Sequence, residues 1–179
     1  MRERFLHYAS CALSRVAYDV GSRQPFAYFN DEKRMETKER VVVSLGGSLI
    51  APEEVDVTFL SAFRNLILSY VDRGFSFAIA TGGGKTCRKY QAAGREIAGL
   101  SNEDVDWVGI HTNNFHAEFV RILFGEYAES EILIGFEKAP QTSKPILLVG
   151  SEKPGHSSDY DAIMTAKLLG ATKVINLSN

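Results

Sequence analysis

The chain has 179 residues, 45% of them hydrophobic, enough for one domain with a proper core. Its formal net charge of −2 gives no sign of a nucleic-acid or membrane surface, and no apolar run approaches the ~20 residues of a membrane span. The two cysteines, Cys11 and Cys87, make neither a disulfide framework nor a zinc site and point to a reducing compartment.

Residues 1–40 differ in character from the rest of the chain. Phe5, Ala9, Ala12, Val16 and Val20 fall on one helical face, and Arg2, Arg4 and Arg15 give an early basic bias. Glu3 and Asp19 interrupt that bias, which argues against an organelle presequence. The charged stretch 30–40 reads as a linker, with Met35 as an alternative start, so residues 1–40 are expected to be a peripheral or partly disordered extension. Residues 41–179 are expected to form the domain proper.

Val41 to Leu45 predicts the first strand, followed by Gly46-Gly47-Ser48. That glycine pair admits either a structural corner or a backbone approach to phosphate oxygens, to which Ser48 could donate its hydroxyl. Pro52 to Glu54 leads into a helix carrying Val57, Leu60, Ile67 and Val71 on one stripe beside Phe59, Phe63, Leu66 and Tyr70, closed by Arg73-Gly74. Phe75 to Ile79 is the next buried strand. It hands over at Gly82-Gly83-Gly84 to a helix from Lys85 to Ala98, with Gly99 as its C′ residue.

The turn at 82–84 is the most informative stretch. Three glycines between a strand and a helix let backbone N–H groups converge on a ligand, and the helix start adds partial positive charge that suits an anion. Lys85 and Arg88 add full charges. The stretch is no Walker A loop, which would need glycine at Ile79, and no dinucleotide fingerprint, which would need glycine at Cys87. A tight turn beside a solvated basic helix face fits the same residues.

Leu100 to Asp104 reads as a loop and Val105 to Phe124 as a long helix bearing Asp106, Trp107, Asn113 and Asn114. Asp106 fits ligand binding or simple favouring of the helix dipole. His111 and His116 are five apart, the wrong spacing to stack on one face as a zinc pair, and are assigned polar or interface roles. Phe115, Phe119, Ile122 and Leu123 read as core or subunit contact. Glu131 to Phe136 and Ile146 to Val149 predict two more strands. Gly150 to Asp159 is a polar loop opening a helix from Asp159 to Leu169, with N-cap chemistry at Ser157 and Ser158, and hydroxyls that a nucleotide could also use. Gly170 ends that helix, and Lys173 to Leu177 is the last strand.

Alternating strands and helices argue for an α/β domain, a parallel sheet covered by helices on both faces. Three strand-end loops (46–48, 82–88 and 150–159) then share the carboxyl edge, where open α/β sheets bind ligands.

Taken together, Val43-Ser44-Leu45-Gly46-Gly47-Ser48, Gly82-Gly83-Gly84-Lys85 with Arg88-Lys89-Tyr90, Asp106-Trp107-Val108-Gly109-Ile110 and Pro154-Gly155-His156-Ser157-Ser158-Asp159 resemble the amino acid kinase superfamily. Within it the pattern is similar to uridylate (UMP) kinases of the archaeal type, over about 41–179. The resemblance implies a three-layer αβα sandwich with a mainly parallel sheet. It also implies a cytoplasmic enzyme of pyrimidine nucleotide biosynthesis, transferring a phosphoryl group from Mg-ATP to UMP, with UMP, ATP and Mg²⁺ as its ligands. By position, Gly46, Gly47, Ser48, Gly84, Arg88 and Ser178 would meet ATP. Gly82, Gly83, Asp106, Glu152, Lys153, Pro154, Gly155, His156, Ser157 and Ser158 would meet UMP. Arg88, Lys85 and Asp159 would serve the transfer, Asp159 by orienting the phosphate loops or a magnesium water. No residue is expected to ligate a metal directly. Family members are commonly hexamers, so a homo-oligomer is expected, with no nucleic-acid or membrane partner.

Three departures qualify that pattern. Many members carry lysine at the Ser44 position, and Lys85 is a candidate substitute. Members usually have Thr and Asn where Asn113 and His116 stand. The family pattern also runs on past residue 179 with further strands and an adenine-binding segment, so the chain reads as a fragment or as a protein that has lost much of its ATP half. Alternatives from the residues are a kinase for another acceptor and a non-catalytic nucleotide-binding or assembly protein.

Overall fold

The computed structural model describes residues 17–19 and 39–179. A five-stranded sheet has the order β1-β5-β2-β3-β4, with β1 Ala17–Asp19, β2 Arg40–Leu45, β3 Ser76–Thr81, β4 Ile146–Val149 and β5 Lys173–Leu177. β2 to β5 are mutually parallel, and β1 lies antiparallel on the outer edge of β5, Asp19 opposite Lys173. The helices are α1 Gly47–Ile50, α2 Val57–Val71, α3 Gly84–Ala98, α4 Asn102–Phe124 and α5 Ser158–Leu169.

The central strands are apolar on both faces because both faces are covered. With the side-chain period of two, Val41, Val43, Leu45, Phe77, Ile79, Ile146 and Leu148 pack against Leu60, Phe63 and Ile67 of α2 and Ala117, Val120 and Phe124 of α4. On the opposite face Val42, Ala78, Ala80, Leu147, Val149 and Val174 meet Ala162 and Ala166 of α5. Alanine faces alanine there, so α5 can approach the sheet closely. The result is the expected αβα sandwich. α3 stands apart: it packs on α4 and α1, and Cys87 is its buried side chain.

Several expectations need correction. The stretch 131–136 is no strand; it touches β4 through one isolated bridge, at Leu133, after another at the preceding Ala128, and Gly135 at φ +79 turns the chain away. α4 begins at Asn102, not Val105, because Ser101 and Asp104 form a reciprocal capping box that draws the supposed loop into the helix. α5 begins at Ser158, with Ser157 as its cap. The short α1 follows the first glycine turn and was not anticipated. Val57, placed on the core stripe of α2, is 70% exposed. Ala17–Asp19 forms a strand where a helical face was read, and Arg40 already belongs to β2 instead of a linker. The other readings on residues 1–38 lie outside the described residues.

Candidate functional site

The turns after β2, β3, β4 and β5 all lie at the carboxyl rim of the sheet, and backbone hydrogen bonds lace them together. Gly46 N–H donates to the Leu177 carbonyl at 2.8 Å, and Gly82 N–H to the Leu45 carbonyl at 2.9 Å. Gly47 and Gly84 then cross at backbone contact. A Cβ on Gly47 would fall onto the Gly82 oxygen and the Gly84 nitrogen, and a Cβ on Gly84, which sits at φ +58, would fall onto Gly47. Side chains are excluded there by geometry.

That crossing presents two helix starts to the rim. α2, α4 and α5 carry side-chain caps from Asp56, Ser101 and Ser157. α1 and α3 begin at Gly46 and Gly83 with no side-chain cap among the described residues. The N–H groups of Gly83, Gly84, Lys85 and Thr86 accordingly have no partner there. Unpaired N–H groups at a helix start form an anion site. Ser178 lies beside Gly46, and Asn179 Nδ2 reaches toward the Ser48 carbonyl at 3.5 Å.

The turn after β4 closes one side of this rim. Gly155, at φ +86, donates its N–H to Asp106 Oδ2 at 3.0 Å, joining the 150–158 loop to α4. Asp106 lies in the second turn of α4, past the first-turn acids Glu103 and Asp104, so it serves this contact. Ser158 Oγ stands 3.3 Å from where a Cβ on Gly82 would be, and Asn113 Oδ1 is 3.0 Å from the equivalent point on Gly83. Gly82 is thus set against Ser158, Gly83 against Asn113, and Asp106 against Gly155.

Beneath them runs a buried polar network that sequence reasoning did not assign. Asn113 Nδ2 donates to Ser151 Oγ at 2.9 Å, and that hydroxyl donates to Asp161 Oδ2 at 2.6 Å. Asn114 clamps both backbone groups of Ser151, at 2.7 and 3.1 Å. His116, assigned only a polar or interface role, is buried with Nδ1 2.8 Å from the Gly82 oxygen. Burial pushes the Asp161 carboxyl up, against the pull of the Ser151 hydrogen bond; its Oδ1 and His156 Nδ1 are buried without partners among the described residues. The available signal was polar residues interspersed with the apolar residues of α4, but spacing alone could not name their partners.

The charged candidates divide. Asp159 accepts from Ser44 Oγ at 2.7 Å and from Asn176 Nδ2 at 3.2 Å, which fixes Oδ1 between β2 and β5. Arg88 is exposed on the first turns of α3, with no carboxylate paired to it among the described residues. Lys85 lies 2.5 Å and Lys89 3.0 Å from Glu53, and their hydrogen bonds hold the Glu53 carboxyl down at about 2. Glu152 rests against Gly135, Lys153 is exposed, and the His156 ring packs on Tyr160 at 4.2 Å. Desolvation raises the Cys87 thiol, keeping it protonated. A cavity of about 580 Å³ opens at the amino ends of the strands, away from these turns, but its charged groups are already engaged: Glu39 pairs with Lys173 and Arg40 donates to Ser76.

The sequence profile described as the Amino acid kinase family matches residues 39–179. A uridylate kinase of Thermococcus kodakarensis is 31% identical over 142 residues, covering 78% of this chain and 62% of that relative. A uridylate kinase of Methanocaldococcus jannaschii is 31% identical over 139 residues, covering 76% and 61%. The chain therefore spans about three fifths of the length of the curated relatives it matches. The crystal structure of uridylate kinase from Archaeoglobus fulgidus superposes with a TM-score of 0.62 at 27% identity, covering 73% of this chain and 59% of that one. Aspartate kinase from Synechocystis superposes at 0.59 with 16% identity, over 74% and 26%, a likeness of fold alone.

Proposed function

The chain belongs to the amino acid kinase family, and on that premise we propose that it is the acceptor-binding part of a UMP kinase, moving the γ-phosphoryl of Mg-ATP to UMP to give UDP. The observation that carries this is the pair of uncapped, glycine-headed helix starts crossing at Gly47 and Gly84. Two anions must be brought together in line while charge spreads over the transferred oxygens, and fixed N–H dipoles supply positive potential without reorganising. Gly83 would meet the UMP phosphate, and Gly47, Ser48 and Gly84 the ATP phosphates, while Gly82 and Gly46, whose N–H groups are taken by the Leu45 and Leu177 carbonyls, would shape the two turns. Arg88 would span both. Asp106 and the 152–158 loop would hold ribose and base, and Ser178 would begin the adenine side.

Magnitudes favour a role for the nucleoside wall. Charge-assisted hydrogen bonds contribute roughly 1.5–3 kcal/mol each, so two or three approach the ~4 kcal/mol of a millimolar complex. Useful affinity would need further contacts, which we assign to Asp106, whose orientation Gly155 fixes, and to Ser158. Mg²⁺ is bound through one or two carboxylates plus phosphate oxygens. Asp159 fits that role, because its Oδ1 is fixed by Ser44 and Asn176 while Oδ2 has no partner among the described residues. It would hold the ion directly or through water, and the ion would neutralise phosphate charge. Lys85, engaged by Glu53, would have to leave that pair to assist.

We further assign a homo-oligomeric state, with the exposed Trp107, Phe115 and Ile122 of α4 as part of the contact. The test of function is ADP release on mixing with Mg-ATP and UMP. Arg88→Ala should reduce it to background, and release independent of UMP or unaffected by the substitution contradicts the proposal. UMP binding measured calorimetrically, with turnover at background, would instead favour a non-catalytic nucleotide-binding protein of the same fold.

A further inference from the structure

We infer that His116 is a positioning residue for the acceptor phosphate, acting through the Gly82–Gly83 peptide; this rests on the UMP reading above. His116 lies on the inner face of α4, 3% exposed, with Nδ1 at 2.8 Å from the Gly82 carbonyl oxygen. A carbonyl oxygen only accepts, so Nδ1 carries the proton and donates. The N–H of Gly82 is already taken by the Leu45 carbonyl at 2.9 Å. Both polar groups of this glycine are therefore tied to the core, by a strand on one side and a helix on the other.

The consequence falls on the next residue. The peptide is trans, so its C=O and the following N–H point in opposite directions. With the Gly82 oxygen drawn inward to His116, the Gly83 N–H is turned outward onto the rim, where it has no partner among the described residues. A Gly-Gly peptide has no Cβ to oppose rotation and could otherwise present its oxygen to the ligand, which would repel a phosphate. The preceding residue is fastened to the same helix, Thr81 Oγ1 donating to the Asn113 carbonyl at 2.8 Å. The imidazole supplies the restraint that the glycines lack.

The turn needs its donor at one particular reach from the helix. Asparagine places Nδ2 one bond beyond Cγ, as histidine places Nδ1, whereas glutamine carries its donor one bond further out. Leucine fills similar volume without a donor. His116→Leu and His116→Gln should each weaken UMP binding about tenfold by calorimetry, the effect of one hydrogen bond, and His116→Asn should stay within about twofold of the parent. In the ligand-free chain the Gly83 amide resonance should move in the Leu and Gln variants and stay near its original position in Asn. A pure packing role ranks the variants the other way, since glutamine and leucine are nearer histidine in size, and that comparison survives if Leu fails to fold. Glutamine matching asparagine, or UMP affinity and Gly83 amide unchanged in all three, overturns the inference. If the parent chain binds no UMP while the Gly83 amide still follows the donor, the substrate reading falls and the positioning of the turn stands.

Discussion

Gly47→Ala tests whether the two glycine turns interlock as described. The added methyl would overlap the Gly82 oxygen, the Gly84 nitrogen and the Gly83 carbonyl carbon, all backbone atoms that no rotamer change can move. Gly47 is not among the glycines at positive φ, so the expected damage is purely one of contact. Overpacking of this kind costs about 1–3 kcal/mol, and rigid neighbours put it at the upper end. At about 2–4 °C per kcal/mol for a domain of this size, the thermal midpoint should fall by about 6–12 °C. Two comparisons calibrate it. Gly99→Ala meets nothing within 4 Å but sits at φ +62, so it should lose about 1 kcal/mol through backbone strain alone. Gly82→Ala meets Gly47 N at 3.1 Å and Ser158 Oγ at 3.3 Å, and should be the mildest in stability, because a few tenths of an ångström relieve it. Circular dichroism melts of the three variants give the order. A Gly47→Ala midpoint no lower than that of Gly99→Ala would refute the interlock.

Ser44→Ala removes a buried donor 2.7 Å from Asp159 and should lower stability by about 1 kcal/mol, read as a midpoint drop of about 2–4 °C. Asp161 has its folded value raised by burial above the ordinary 3.8, so the folded state holds a proton that the unfolded state releases. Its contribution to stability therefore falls as pH climbs from 3.8 through that raised value. Asp161→Asn should gain stability relative to the parent across that window, in paired urea titrations at several pH values, and a difference independent of pH would contradict it. The Glu53 carboxyl should titrate near 2 by NMR and return toward the ordinary value of 4.5 in a Lys85→Met, Lys89→Met double variant, since those two ammonium groups are what depress it. Its contribution is present above 4.5 and lost as pH falls through the depressed value.

The strand–turn–helix rhythm was legible because it is written locally. Val41 to Leu45, Phe75 to Ile79 and Ile146 to Val149 are apolar on both faces, and Gly99 and Gly170 stop their helices at φ +62 and +65, the left-handed conformation that glycine adopts without penalty. From that rhythm the rim and its three loops follow by topology. The stretch 131–136 misled for the same reason: its composition suits a strand, but whether it joins a ladder depends on what lies beside it. The start of α4 was missed by three residues because a reciprocal pair, Ser101 with Asp104, decided it, and that of α5 by one because Ser157 caps it.

What could not be read was the set of contacts between residues distant in sequence, and these orient the site. Ser44 and Asp159 are separated by 115 positions, Asp106 and Gly155 by 49, His116 and Gly82 by 34. Residue type marks each as polar, but a period of 3.6 or 2 says only which face it occupies, never which atom it meets. The asymmetry has a physical source. A glycine turn is defined by what it lacks, which the sequence prints directly, whereas the direction its N–H groups face is imposed by partners on other elements. A chain could keep all the glycines at 46, 47, 82, 83 and 84 and still leave their N–H groups facing the wrong way if Leu45, Leu177 and His116 did not tie those peptides down. Motif and network are therefore separate requirements, and substitutions at His116 and at Gly47 probe them independently: one alters the orientation of an intact turn, the other its fit.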